Sequence, residues 1–240
     1  MLTINIKETD IDCQSPQDKK NINKKFWVVE CLFDNNTGTN KTALYDAALD
    51  LSSKVNPGQA NKSANTRDSN TLVRDAAGGI LAESGWLSFI NQNFGNIAHP
   101  AKFTSSVGQI DIELNKGHTI EVRSSFPRNG VKFAICNDKY NFKNIGTYAN
   151  LYKPGEKTKD FFAVALFETK KDILLESDMI KFYLIGGSTK EMLKDDKIAD
   201  TANLIAEGDS TKTHTEYRII KLKDVLDIAG FKTYMRSMGY

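Results

Sequence analysis

The sequence predicts an α/β fold, a central mixed β-sheet flanked by helices, from three observations. Residues 107–125 alternate polar and apolar side chains with period 2 on both sides of Asn115-Lys116-Gly117, the pattern of two adjacent strands joined by a tight turn. Residues 71–94 place Ile80, Leu81, Ala82, Leu87 and Ile90 in one broad apolar stripe at helical spacing. Residues 160–167 and 181–185 are near-continuous apolar runs, as expected of strands buried on both faces.

Composition sets the bounds within which these elements assemble. A chain of 240 residues suffices for one sizeable α/β domain, or one domain with an appendage. Hydrophobic content of 40% and charged content of 26% are those of an ordinary globular protein, and a net charge of +2 does not by itself announce a nucleic-acid binder. Cys13, Cys31 and Cys136 are scattered, odd in number and lack a CxxC pair, which argues against a disulfide framework or a zinc site and fits a reducing cytoplasm. The first residues carry no apolar signal core, and the longest apolar run, 161–167, is too short to cross a bilayer. The expectation is a cytoplasmic protein with no membrane partner.

Taken in order, residues 1–24 are polar, with a short first strand over 2–6. Residues 26–33 read as a strand or the start of a buried helix, which periodicity cannot decide over so short a run. Residues 42–54 have helical spacing and stop near Asn56-Pro57-Gly58, and 58–70 are a small, polar loop. Residues 1–70 are therefore expected to form an N-terminal helical extension on an α/β body spanning 71–240. In the 71–94 helix, Gly78 and Gly79 each cost about 1 kcal/mol relative to Ala, which points to a late helix start or to close packing. Glu83 lies within the apolar segment, either aimed inward or exposed and paired with Lys or Arg. A strand is expected over 99–106. Lys132 lies on VKFAI, a possible further strand. Gly186-Gly187 reads as a strand-to-helix turn, 189–205 as mostly helical, 217–222 as a final strand and 222–238 as a closing helix. His99, His118 and His214 lack metal-ligand spacing.

The 107–125 hairpin carries the chemistry. Alternation puts Glu121 and Arg123 on one face and Ile120 and Val122 on the other. The short turn lets Asp111 and Glu121 converge from neighbouring strands. Two carboxylates with a nearby cation suit hard-metal binding and the offsetting of phosphoryl charge. Asp111, nine residues, then Glu121-x-Arg123 resembles the PD-(D/E)XK nuclease superfamily, which includes many restriction endonucleases. Arg123 stands where that pattern usually has lysine; it keeps the charge but is a planar fork that cannot deprotonate. Gly79-x-x-Ala82-Glu83 resembles the family's first core helix, whose glutamate faces the metal site.

The resemblance implies a restriction endonuclease-like core of helix, three strands, helix and strand over about residues 71–170, so that 71–240 forms a nuclease-like α/β domain. It further implies a Mg²⁺-dependent DNA endonuclease, with Mn²⁺ as a substitute. Asp111, Glu121 and Glu83 would be the metal-binding carboxylates and Arg123 the catalytic cation, with Lys132 as its fallback. The implied partner is double-stranded DNA, and two-fold recognition would suit a homodimer. From Lys116 to Asp160 there are nine Lys/Arg against four Asp/Glu, interleaved with Phe126, Phe133, Tyr140, Phe142, Tyr148 and Tyr152, which suits phosphate and base contact or, equally, a solvated face over core aromatics. The rival reading is a catalytically inactive nucleic-acid-binding protein that retains the nuclease fold. A nucleophile–base pair, a dinucleotide fingerprint and a P-loop are all missing from the sequence.

Overall fold

The computed structural model describes residues 2–13, 24–54, 67–101, 110–137, 143–148, 159–205 and 212–240. The elements in chain order are β1 (Asn5–Asp12), β2 (Lys25–Asp34), α1 (Gly38–Ser53), α2 (Ser69–Phe94), β3 (Ala98–Pro100), β4 (Ile112–Leu114), β5 (Thr119–Ser125), α3 (Val131–Cys136), β6 (Lys143–Tyr148), β7 (Phe161–Phe167), β8 (Met179–Thr189), α4 (Lys190–Lys194), β9 (Asp200–Ile205), β10 (Lys212–Lys221) and α5 (Ile228–Ser237). Seven strands form one mixed sheet in the order β1-β2-β8-β7-β5-β4-β3, and a smaller sheet runs β6-β10-β9. Within the large sheet, among the described residues, only β5 and β7 pair in parallel. Their connection runs through α3, as a parallel crossover requires.

Every residue of β7 is buried, because the sheet is covered on both sides. On one side Phe161, Ala163, Ala165 and Phe167 pack with Leu81, Trp86, Phe89 and Ile90 of α2 and Phe231 and Met235 of α5. On the other, Phe162, Val164 and Leu166 meet Val131 and Ile135 of α3 together with Ile220 and Leu222. Aromatic edges knit the first layer: Trp86 lies 5.0 Å from Phe231, and Phe231 4.9 Å from Phe161. Each such ring contributes about 2–3 kcal/mol on burial.

The helix predicted over 71–94 begins at Ser69, where the Asp68 carboxylate accepts a hydrogen bond from Thr71 N at 2.7 Å. Gly78 marks close packing rather than a late start, and Gly79 does not. A Cβ on Gly78 would come within 2.9 Å of Phe126, and one on Gly85 within 2.9 Å of Phe182, whereas Gly79 has open space. Residues 26–33 are a strand. Phe26 and Val28 belong to one apolar layer and Val29, Cys31 and Phe33 to the other, which no exposed extension could satisfy. The N-terminal helical extension is accordingly corrected: its helix exists as α1, but the two strands ahead of it enter the central sheet through β2–β8 pairing. The first strand also falls later than 2–6.

Other departures have local causes. VKFAI is helix α3, not a strand: Gly130 turns the chain at φ 83°, and the Glu168 carboxylate accepts from Val131 N at 3.1 Å. Gly186 and Gly187 lie inside β8 rather than ending it. Their backbone lies so close to neighbouring chain that a Cβ on either would stand 2.0 Å from a carbonyl oxygen, of Leu226 and Phe162 respectively. Of 189–205 only α4 is helical; β9 pairs with β10 instead. The closing helix starts at Ile228, where Asp227 caps Gly230 N at 2.9 Å. Within 99–106, residues 102–106 lie outside the described residues, and β3 occupies Ala98–Pro100.

The cysteine reading is overturned. Cys13 and Cys136 form a disulfide that joins the end of β1 to α3 across a sequence separation of 123, leaving Cys31 as a buried free thiol. Among the described residues no helix is long and apolar enough to cross a membrane.

Candidate active site

The turn at Asn115-Lys116-Gly117 closes as expected: Gly117 takes φ 83° and its N–H donates to Leu114 O at 2.8 Å. Register then follows, with Glu113 opposite Thr119 and Ile112 opposite Ile120. Asp111, one residue before β4, falls beside the β5 residues after Ile120. There its Oδ2 accepts from Val122 N at 2.7 Å, so the carboxylate continues the strand pairing that the backbone of β4 no longer supplies. Gln109, on the first arm, lies outside the described residues.

Ile120 is buried against the α2 layer and Val122 packs on it, so alternation turns Glu121 and Arg123 to the opposite face. The two side chains meet there, Arg123 Nη2 standing 2.6 Å from Glu121 Oε1. A second cation completes the arrangement: Lys159 Nζ lies 3.1 Å from Glu121 Oε2, with its side chain only 4% exposed. Lys159 precedes β7, which runs parallel to β5 with Ile120 opposite Phe161. Asp160 ties the two strand starts together by accepting from Thr119 N at 2.9 Å, and its other oxygen holds Lys190 at 2.5 Å.

These contacts set three carboxylates apart electrostatically. Burial pushes the Glu121 carboxyl up, but the charges and hydrogen bonds of Arg123 and Lys159 prevail and hold it below the usual range. Burial raises Asp111 to about 6, with the Glu121 charge adding to it against the Val122 hydrogen bond. Burial, then the negative charge of Asp111, raises half-buried Glu83 to about 7. Glu83 is partly buried on α2 and feels the Asp111 charge. Near neutral pH, Glu83 and Asp111 gain from any proton or cation that approaches them.

Both are hard oxygen donors, and Mg²⁺ commonly binds through one or two carboxylates plus water and phosphate oxygens. Asp111 and Glu83 fit that donor set. Glu121 is engaged at both oxygens by its two cations, and among the described residues no three His, Cys, Asp or Glu side chains converge as a ready metal cage. Lys132 is exposed on α3 and lines a separate cavity of about 350 Å³ with Asp10, Asp12, Glu168 and Lys181, so it does not stand in for Arg123. Phe126 stacks on Phe167 at 4.6 Å in the core. The side chains of Tyr140, Phe142, Tyr148 and Tyr152 lie outside the described residues.

Lys159 is the site residue that the sequence reading missed. Its one local signal is a lysine at the mouth of an apolar strand, and only the β5–β7 pairing turns that into a contact with Glu121. Compared with protein-family models, curated proteins and solved structures, the chain matches none.

Proposed function

We propose that the protein is a Mg²⁺-dependent DNA endonuclease of restriction-enzyme type that hydrolyses phosphodiester bonds. The observation that carries this reading is the Glu121 cluster: one carboxylate held ionised between Arg123 and Lys159, with Asp111 raised by burial and by the Glu121 charge, and Glu83 of α2 raised in turn by burial and by Asp111. The order α2, β3, β4, β5, α3, β7, with β5 and β7 parallel and with β6 of the small sheet inserted between α3 and β7, supports the same reading because, that insertion apart, it follows the helix–three-strand–helix–strand core. Asp111 and Glu83 would hold the metal, which when bound would polarise the phosphoryl group and activate water. Glu121 keeps the two cations at fixed places, and Arg123 offsets charge developing on the phosphoryl oxygens. Double-stranded DNA is the substrate, and a homodimer would cut both strands.

The test is cleavage of plasmid and genomic DNA with Mg²⁺ or Mn²⁺, against chelator, by wild type and Glu121→Gln. The amide is preferable to alanine because it preserves the volume beside the buried Lys159, although the cation still loses its countercharge. Metal-dependent cutting that falls at least 100-fold in the variant supports the reading. Absence of cutting by folded wild type with either ion rejects it. One observation favours a second reading, an inactive nucleic-acid binder: both Glu121 oxygens are engaged by cations, and one of these is Arg123 in place of the usual lysine. DNA retention without cutting would select it.

A further inference from the structure

The hairpin that presents Asp111 is short. β4 has three residues, and its pairing with β5 runs through Ile112 and Glu113. A two-stranded ribbon is marginal by itself, so the place of Asp111 beside Val122 depends on what holds the turn. On one side Asn115 N donates to Ile97 O at 2.8 Å. On the other, the residues after α5 close over it. Lys116 Nζ donates to Gly239 O at 2.5 Å and stands 4.9 Å from the centre of the Tyr240 ring. His118 Nδ1 and the Tyr240 hydroxyl share a hydrogen bond of 2.8 Å, with the two rings edge-on at 5.6 Å. Gly239 makes this approach possible: at φ 82° it turns the chain back, and Tyr240 N donates to Met235 O at 3.1 Å. The same helix also grips the neighbouring strand. Tyr234 donates its hydroxyl to Asp160 O at 3.3 Å, and its ring stacks on Phe161 at 5.5 Å. Asp160 in turn accepts from the N–H of Thr119, the residue after His118.

We infer that His118 and Tyr240 are positioning residues: their hydrogen bond fixes the β4–β5 turn and, through it, sets Asp111 in place against β5. The inference rests on the nuclease reading, in which Asp111 holds the metal. Neither His118 nor Tyr240 touches the reacting atoms in this role. Both act through Asp111, whose Oδ2 accepts from Val122 N at 2.7 Å. A displacement of about 1 Å caused far from the chemistry can cost about 10²-fold in rate. Slack in so short a hairpin therefore shows in turnover and in metal affinity, not only in stability.

The experiment compares wild type, His118→Ala, His118→Asn and Tyr240→Phe in Mn²⁺-dependent plasmid cleavage, with Mn²⁺ affinity by titration calorimetry and thermal melting of each. Alanine and phenylalanine remove the hydrogen bond from opposite sides, whereas asparagine places an amide near the position of Nδ1 and keeps a partner for the Tyr240 hydroxyl. Tyr240→Phe also retains the ring, and serves if His118→Ala does not fold. Both disrupting variants are expected to lose about tenfold in kcat with KM near wild type, and to bind Mn²⁺ several-fold more weakly. His118→Asn is expected to recover most of both. A lower melting temperature with kcat and Mn²⁺ affinity unchanged would overturn the positioning role and leave the nuclease reading intact. Failure of His118→Asn to recover either quantity would overturn it as well. Wild type that binds Mn²⁺ without cutting rejects the nuclease reading alone, and the Mn²⁺ affinities of the variants then uphold or overturn the clamp. Wild type that neither cuts nor binds Mn²⁺ overturns both.

Discussion

Glu83 and Asp111 hold their protons late because burial strips water from carboxylates that already face negative neighbours. Each binds its proton more tightly folded than unfolded. Their contribution to stability is therefore complete below the unfolded carboxylate range and is lost as pH rises through about 6 for Asp111 and about 7 for Glu83. Glu121 and Asp160 are held low by their cationic partners, with Thr119 N also bonding Asp160, so their contribution is present above the ordinary range and is lost as pH falls through it. The expected profile has its maximum near pH 5 and falls by a few kcal/mol, about 4 at most, between pH 5 and 8. Urea midpoints across that interval check it, and Glu83→Gln should flatten the slope; an unchanged slope would mean that Glu83 is not the buried acid described. Millimolar Mn²⁺ at pH 8 should raise the wild-type midpoint, and raise it less in Asp111→Asn. The pairing of Glu121 with Arg123 was legible because strand alternation is a property of neighbouring residues. Lys159 was not, because its partner lies on a strand 38 positions earlier in sequence (159 − 121 = 38), and only sheet pairing joins them.

The glycines of α2 separate packing from propensity within one element. Gly79 has open space around it, so Gly79→Ala should gain close to the intrinsic helix preference, about 0.5–1 kcal/mol. Gly85 is enclosed: a new Cβ would meet Phe182 at 2.9 Å and Leu184 at 3.2 Å, both fully buried. Gly85→Ala should therefore lose about 1–3 kcal/mol to overpacking despite the same propensity gain. Denaturation midpoints of the two variants should move in opposite directions, and a shift of both the same way would contradict the α2–β8 contact. Helix α2 itself was readable from its long apolar stripe. Shorter segments were not, for identifiable reasons. VKFAI satisfies strand and helix patterns equally, and the Glu168 bond to Val131 N that starts α3 comes from 37 residues away. Gly186-Gly187 looks like punctuation in sequence, but the structure uses it to let β8 pass against Leu226 and Phe162.

At the scale of the molecule, the N-terminal strands depend on distant partners: β2 needs β8 beside it, and β1 needs β2. Composition and local pattern could indicate α/β, but not that the sheet's outermost strand at one edge would come from the first dozen residues. The Cys13–Cys136 disulfide reinforces this long-range closure by joining the end of β1 to α3 across 123 positions, with both sulfur-bearing residues buried. It also removes the ground on which scattered cysteines suggested a reducing compartment. A cross-link over so long a span restricts the unfolded chain strongly, and its loss is worth roughly 2–5 kcal/mol. Thiol titration of the denatured, unreduced protein should find one reactive group, Cys31, and three after reduction. Cys13→Ser with Cys136→Ser should lower the urea midpoint by a comparable amount while leaving the α2, β5 and β7 packing around Glu121 in place. Any activity measured at room temperature should therefore persist in the double variant, because the bond staples the edge of the sheet to α3 and does not touch the carboxylate cluster. Three thiols in the unreduced protein would show that the two cysteines are packed together without a bond, and the stability difference should then vanish with it.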